Sequence, residues 1–204
     1  MNLPNLLSLS RIVFLFVIAA LLFSSLPFAT TAAFLLFIIA AITDWADGWT
    51  ARKFNLITDF GKLMDALADK VLTVGLFICL LRIPNLMPFW TLFCVLVIVG
   101  REFFITGLRL VAASRGVVLA AEKGGKVKTV FQIIAICLLL LAEAVLVDFD
   151  HAGWVFQVLW WGGLATFLVA TGLTVQSGWT YFSKYGYLFK EDDGQKPNNP
   201  TPSK

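Results

Sequence analysis

Four aspartates, Asp44, Asp47, Asp65 and Asp69, stand inside long apolar stretches of the chain. On helices, spacings of three and four place Asp44 and Asp47 on one face and Asp65 and Asp69 on another. An ionised side chain near the middle of a bilayer costs roughly 2.5 to 3.5 kcal/mol, less toward either face, so four together call for a cationic partner. Hard divalent cations such as Mg2+ take oxygen ligands and usually keep substrate phosphates and water among them. Four converging carboxylates are enough for two such ions about 3.5 to 4 Å apart, the arrangement that clamps attacking and leaving oxygens in phosphoryl transfer. Gly48 removes a side chain beside Asp47, Ala51 keeps the wall small one turn on, and Arg52 offers a planar fork suited to a phosphate. The competing reading is that Arg52, Lys53, Lys62 and Lys70 pair with the aspartates only to hold helices together. Buried ion pairs are a weak source of stability, and that reading leaves the small residues at 48, 51 and 61 without a role.

The elements that must position these groups follow from hydropathy. Of 204 residues, 59% are hydrophobic, in runs too long and continuous for a soluble domain. Spanning a bilayer takes about 20 apolar residues. Six runs qualify, at 11–27, 31–53, 62–81, 88–111, 127–147 and 154–180, so an all-α polytopic membrane protein with six transmembrane helices is expected. Pro27, Pro84, Pro88, Gly124-Gly125 and the stretch from Asp148 to Gly153 punctuate the runs. Leucines 3, 6, 7 and 9 among Asn and Ser predict a short N-terminal interfacial helix over Asn2 to Leu9. The same region could pass for a signal peptide, but cleavage would leave five spans and put the basic regions on inconsistent sides. Residues 1–189 are expected to form one membrane domain, and 190–204 a disordered polar tail.

Basic residues are retained on the cytoplasmic side. With the N-terminus inside, only Arg82 of the sixteen Lys and Arg falls on or near the outer side, which puts both termini in the cytoplasm and the chain in the plasma (inner) membrane. The turn after Arg52 makes the second and third spans antiparallel neighbours, so all four aspartates reach similar depth just below the cytoplasmic face. Cys79, Cys94 and Cys137 lie in apolar runs without a paired spacing, and His151, the single histidine, falls in an outer turn. Neither provides a zinc site or a general base. No Ser-His-Asp arrangement or phosphate-cradling glycine loop is present, and a net charge of +3 on a membrane chain gives no reason to invoke nucleic acid. Trp45, Trp49, Trp160, Trp161 and Trp179 are expected as packing and interface anchors.

The run Asp44-x2-Asp47-Gly48-x2-Ala51-Arg52-x8-Gly61-x3-Asp65-x3-Asp69 resembles the complete signature of the CDP-alcohol phosphotransferase family, with every position filled over 26 residues. The resemblance implies that Asp44, Asp47, Asp65 and Asp69 ligate two divalent cations, Mg2+ or Mn2+. It implies that Gly48, Ala51, Arg52 and Gly61 line the CDP site, that Asp69 is the general base on the acceptor hydroxyl, and that the chain forms a homodimer. A divalent-cation pathway would instead string carboxylates through the bilayer, whereas Glu143 is the only isolated acid in the outer half.

Within that family, Asn5 to Arg11, Arg101 to Arg109 and Gly125 to Thr129 resemble the branch that makes phosphatidylglycerophosphate from CDP-diacylglycerol and sn-glycerol 3-phosphate. Glu102, Thr106 and Arg109 share a helix face, and Lys126 opens the fifth span, where unpaired N–H groups attract anions. A phosphorylated acceptor needs this second anion site, for which Arg109, Lys126, Arg101 and Lys128 are the candidates. Arg101, beside Glu102, could equally belong to a polar network between helices. Arg115 and Lys123 fit retention by anionic headgroups. Sibling acceptors, namely inositol phosphate, serine or phosphatidylglycerol, are the alternative.

Overall fold

The computed structural model describes residues 3–54, 59–84, 86–114, 123–150 and 153–186; side chains at 3–9, 44–54, 59–66, 69, 113–114 and 123–124 fall outside that description. Among the described residues there are six helices and no strand: α1 (Leu3–Leu22), α2 (Ala29–Phe54), α3 (Asp59–Arg82), α4 (Thr91–Ser114), α5 (Lys123–Val147) and α6 (Trp154–Tyr185). A helix satisfies its own backbone polar groups, the condition for crossing lipid. Among the described residues, three stretches are long and apolar enough to cross, Thr91–Ala112, Gly125–Val147 and Trp154–Tyr185, and Ser10–Leu22 and Ala29–Thr43 are shorter apolar ones. Large apolar side chains also cover the outside, with Phe103 72% and Trp154 75% exposed. A surface of that kind suits lipid rather than water.

The helices match the six expected runs within a few residues, with two informative differences. From Leu3 onward the expected interfacial segment is the first part of α1, which runs unbroken to Leu22. α1 also stops five residues short of Pro27: the Ser24 hydroxyl and backbone N–H both donate to the Leu21 carbonyl, at 2.9 and 3.1 Å, and close the helix end. α6 instead extends past residue 180 to Tyr185, because Tyr181 packs into a buried cluster with Ile105, Leu108 and Ala112 of α4.

The main core joins all six helices around Ile18, Phe37, Leu76, Ile98, Leu139 and Phe167. Phe77 of α3 meets Phe167 of α6 at 5.1 Å between ring centroids. α5 and α6 form the most extensive helix pair. Gly163 makes this possible, since a Cβ there would come within 2.8 Å of the Leu139 side chain and 3.3 Å of its backbone nitrogen. Of the expected tryptophan anchors, Trp160 donates its indole N–H to the Leu86 carbonyl at 2.7 Å.

At the end of the bundle where α2 begins, Asp148 closes two helix ends at once. Its Oδ2 accepts both the backbone N–H and the hydroxyl of Thr31, each at 2.6 Å, so a carboxylate just beyond α5 caps the N-terminus of α2. Asp148→Ala is expected to cost about 1 to 2 kcal/mol. The check is the thermal midpoint in detergent.

Candidate functional site

The aspartate pairs lie at similar counts of residues from the link between α2 and α3. α2 ends at Phe54 and α3 starts at Asp59 after a four-residue link. Asp44 precedes Phe54 by ten residues and Asp69 follows Asp59 by ten, about 15 Å of helix in each case. Asp47 and Asp65 lie seven and six residues from the same ends, roughly 10 Å. Gly48, Ala51 and Arg52 belong to the same stretch of α2, and Gly61 to the first turn of α3. The side chains of all these residues lie outside the described part. Both helices pack on α1.

The described side chains begin around Asp69. Ala68 and Leu72 on either side of it are buried, turning that face of α3 into the bundle. Lys70 donates to the hydroxyl of Thr106 on α4, and that hydroxyl donates to the Glu102 carbonyl at 2.8 Å. α3 and α4 are thereby tied one residue from Asp69. An apolar cleft of about 110 Å³ opens beside this tie, lined by Val71, Val74 and Phe103 among others.

A second polar cluster joins α4, α5 and α6. Glu102, 8% exposed, accepts from Lys128, 5% exposed, in an ion pair, and the same Oε1 takes the Arg101 guanidinium at 3.1 Å. The other terminal nitrogen of Arg101 donates to the Ser177 hydroxyl at 2.5 Å. Arg109, two turns further along α4, donates to the Tyr181 hydroxyl at 3.1 Å. The guanidiniums of Arg101 and Arg109 lie 5.9 and 5.8 Å from the centre of the Tyr181 ring. Gln132, one turn past Lys128, is buried, and its amide nitrogen has no hydrogen-bond partner among the described residues. Lys126 is exposed in the first turn of α5.

Of the four basic residues expected at an acceptor anion, the structure therefore gathers Arg101, Arg109 and Lys128 around Glu102 and Tyr181. Arg101 and Lys128 are engaged with Glu102, in the polar network that was the alternative reading of Arg101. Arg109 and Lys126 are the two that are exposed. The contribution of α6 was missed. Its signal was present: Ser177, Tyr181 and Lys184 recur at spacings of four and three, a polar stripe at the end of an apolar run. Cys79, Cys94 and Cys137 are unpaired thiols, as expected, and His151 lies outside the described residues.

A family model described as CDP-alcohol phosphatidyltransferase matches residues 1–170. The CDP-diacylglycerol–glycerol-3-phosphate 3-phosphatidyltransferase of Bacillus subtilis (strain 168) is 44% identical over 197 residues, covering 90% of this chain and 94% of that protein. Proteins of the same description from Rickettsia typhi and Escherichia coli (strain K12) are 36% and 32% identical, each over 89% of this chain and 95% and 93% of their own length. A match through nearly the whole helical bundle, including the aspartate run on α2 and α3, shows that the chain belongs to the CDP-alcohol phosphatidyltransferase family.

Proposed function

We propose that this protein transfers the phosphatidyl group of CDP-diacylglycerol to sn-glycerol 3-phosphate, releasing CMP and leaving phosphatidylglycerophosphate in the membrane. The carrying observation is the 44% identity, over 90% of this chain, to the Bacillus subtilis protein of that description. In this reading Asp69 takes the proton from the 1-hydroxyl of the acceptor. The resulting alkoxide attacks the β-phosphorus of CDP-diacylglycerol, the bond from that phosphorus to the bridging oxygen breaks, and CMP departs. Gly48, Ala51, Arg52 and Gly61 line the CDP site. Arg109 and Lys126 take the acceptor phosphate, while Arg101 and Lys128 add positive charge behind them.

The donor set on α2 and α3 consists only of carboxylates, at similar counts of residues from the link between the two helices, which fits hard divalent cations. Asp44, Asp47, Asp65 and Asp69 would hold two of them, Mg2+ or Mn2+, whose charge would neutralise the diphosphate. What this chain supplies is orientation and electrostatics, the main contributions in phosphoryl transfer.

The membrane arrangement belongs to the same proposal. Residues 1–189 form one domain whose six helices span the plasma (inner) membrane, with the start of α1 at the interface, both termini and the site on the cytoplasmic side, and a homodimer as the working unit. The tail at 190–204 lies outside the described residues. Lateral access to lipid lets the acyl chains of CDP-diacylglycerol stay in the bilayer.

The test is CMP release by purified protein given CDP-diacylglycerol, Mg2+ and a panel of acceptors. Glycerol 3-phosphate is expected to support turnover. If serine or inositol phosphate does so and glycerol 3-phosphate does not, the acceptor assignment fails. Mg2+ uptake into proteoliposomes without CMP release would instead favour a cation pathway. Lys126→Ala is expected to raise the KM for glycerol 3-phosphate about tenfold, with the KM for CDP-diacylglycerol little changed. An equal effect on both substrates would assign Lys126 to lipid contact or folding.

A further inference from the structure

We infer that Tyr181 is a positioning residue for the acceptor phosphate: its hydroxyl and ring hold the Arg109 guanidinium in place, and the segment of α6 around it seats Arg101 as well. The inference rests on the proposed role of Arg109 and extends it to a helix segment beyond the family match, which ends at residue 170.

Three independent features converge on this segment. Tyr181 is 1% exposed and packed against Ile105, Leu108 and Ala112, so its ring has little freedom to move. Arg109, by contrast, is exposed, and a long exposed side chain would ordinarily sample many rotamers. The Tyr181 hydroxyl accepts one of its N–H groups at 3.1 Å while the ring lies 5.8 Å from the guanidinium carbon. A guanidinium has five N–H donors, so one bond to Tyr181 leaves the rest available to a phosphate.

The same short stretch is shaped for the second arginine. Ser177, one turn before Tyr181, takes a hydrogen bond from Arg101 at 2.5 Å. At Gly178 a Cβ would stand 3.1 Å from the Arg101 Cγ, so the missing side chain leaves room for the arginine stem to cross α6. Arg101 and Arg109 are eight residues apart, about 12 Å along α4, yet both guanidiniums come within 5.9 Å of the centre of one ring. A rigid aromatic side chain placed between two cations keeps like charges at a set separation. An anion can then meet a preformed site instead of ordering it on binding.

Kinetics of Tyr181→Phe, Arg109→Ala and the double variant test this, with glycerol 3-phosphate and CDP-diacylglycerol varied separately. Tyr181→Phe keeps the ring and removes only the hydroxyl, so the fold should hold, as an unchanged unfolding midpoint would verify. Its KM for glycerol 3-phosphate is expected to rise about three- to tenfold, with kcat and the KM for CDP-diacylglycerol within about twofold of the parent. In the Arg109→Ala background the same change should add almost nothing, because its effect runs through Arg109. An equal effect in both backgrounds, or a fall in kcat alone, overturns the inference. If Arg109→Ala raises the acceptor KM but Tyr181→Phe does not, Arg109 keeps its role and Tyr181 loses its own. If Arg109→Ala leaves the acceptor KM unchanged, both fall.

Discussion

Asp69→Asn is expected to leave a folded, membrane-inserted protein whose turnover falls by at least about a hundredfold, or roughly 2.7 kcal/mol in the activation barrier. The substitution preserves shape and hydrogen-bonding capacity while removing the one property the proposal needs, a carboxylate able to take a proton. Its neighbours Ala68 and Leu72 in α3 are buried, and an isosteric amide keeps the volume of the side chain. CMP release at saturating substrates measures the loss, and the unfolding midpoint separates it from misfolding. Raising Mg2+ distinguishes two ways the carboxylate could act: partial recovery indicates a lost cation ligand, and none indicates a lost base. Near-normal turnover at ordinary Mg2+ would remove Asp69 from the reaction.

The largest effect on stability is expected at Glu102. This carboxylate is the shared acceptor for Lys128 and Arg101, both with side chains at most 10% exposed. Glu102→Ala would leave Lys128 buried without that counter-charge. Removing one partner of a buried pair typically costs about 3 to 5 kcal/mol, which for a chain of this size lowers the unfolding midpoint by roughly 6 to 20 °C. Glu102→Gln should cost less, since the amide oxygen still accepts a hydrogen bond although the charge is gone. Lys128→Met added to Glu102→Ala should recover part of the loss, because the charge left buried is then gone as well. Thermal melts of the four proteins in one detergent give the comparison. Equal midpoints for the parent and Glu102→Ala would show that the network does not hold α4 to α5.

Much of the architecture was legible because it is written in local patterns. Long apolar helices stand out in hydropathy, so it located the six helices of the described residues, each of which overlaps its expected run. Boundaries were less legible where a side chain or a packing partner set them. α1 ends where Ser24 takes the Leu21 carbonyl, and α6 continues because Tyr181 finds a pocket on α4. The N-terminal segment expected at the interface is continuous with α1 from Leu3.

The site divides along the same line. By itself the sequence determined family membership and carries the proposal for the aspartates, because the spacings of Asp44, Asp47, Asp65 and Asp69 act within single helices and need only 3.6 residues per turn to be understood. Only the tertiary structure decided that Glu102 gathers Arg101 and Lys128, that Asp148 caps α2 at Thr31, and that Arg109 leans on Tyr181. Those partners are 26, 117 and 72 residues apart for Lys128–Glu102, Thr31–Asp148 and Arg109–Tyr181. Which face of one helix meets which face of another depends on how the whole bundle packs, through close approaches such as Gly163 on Leu139, and no local period records that rotation.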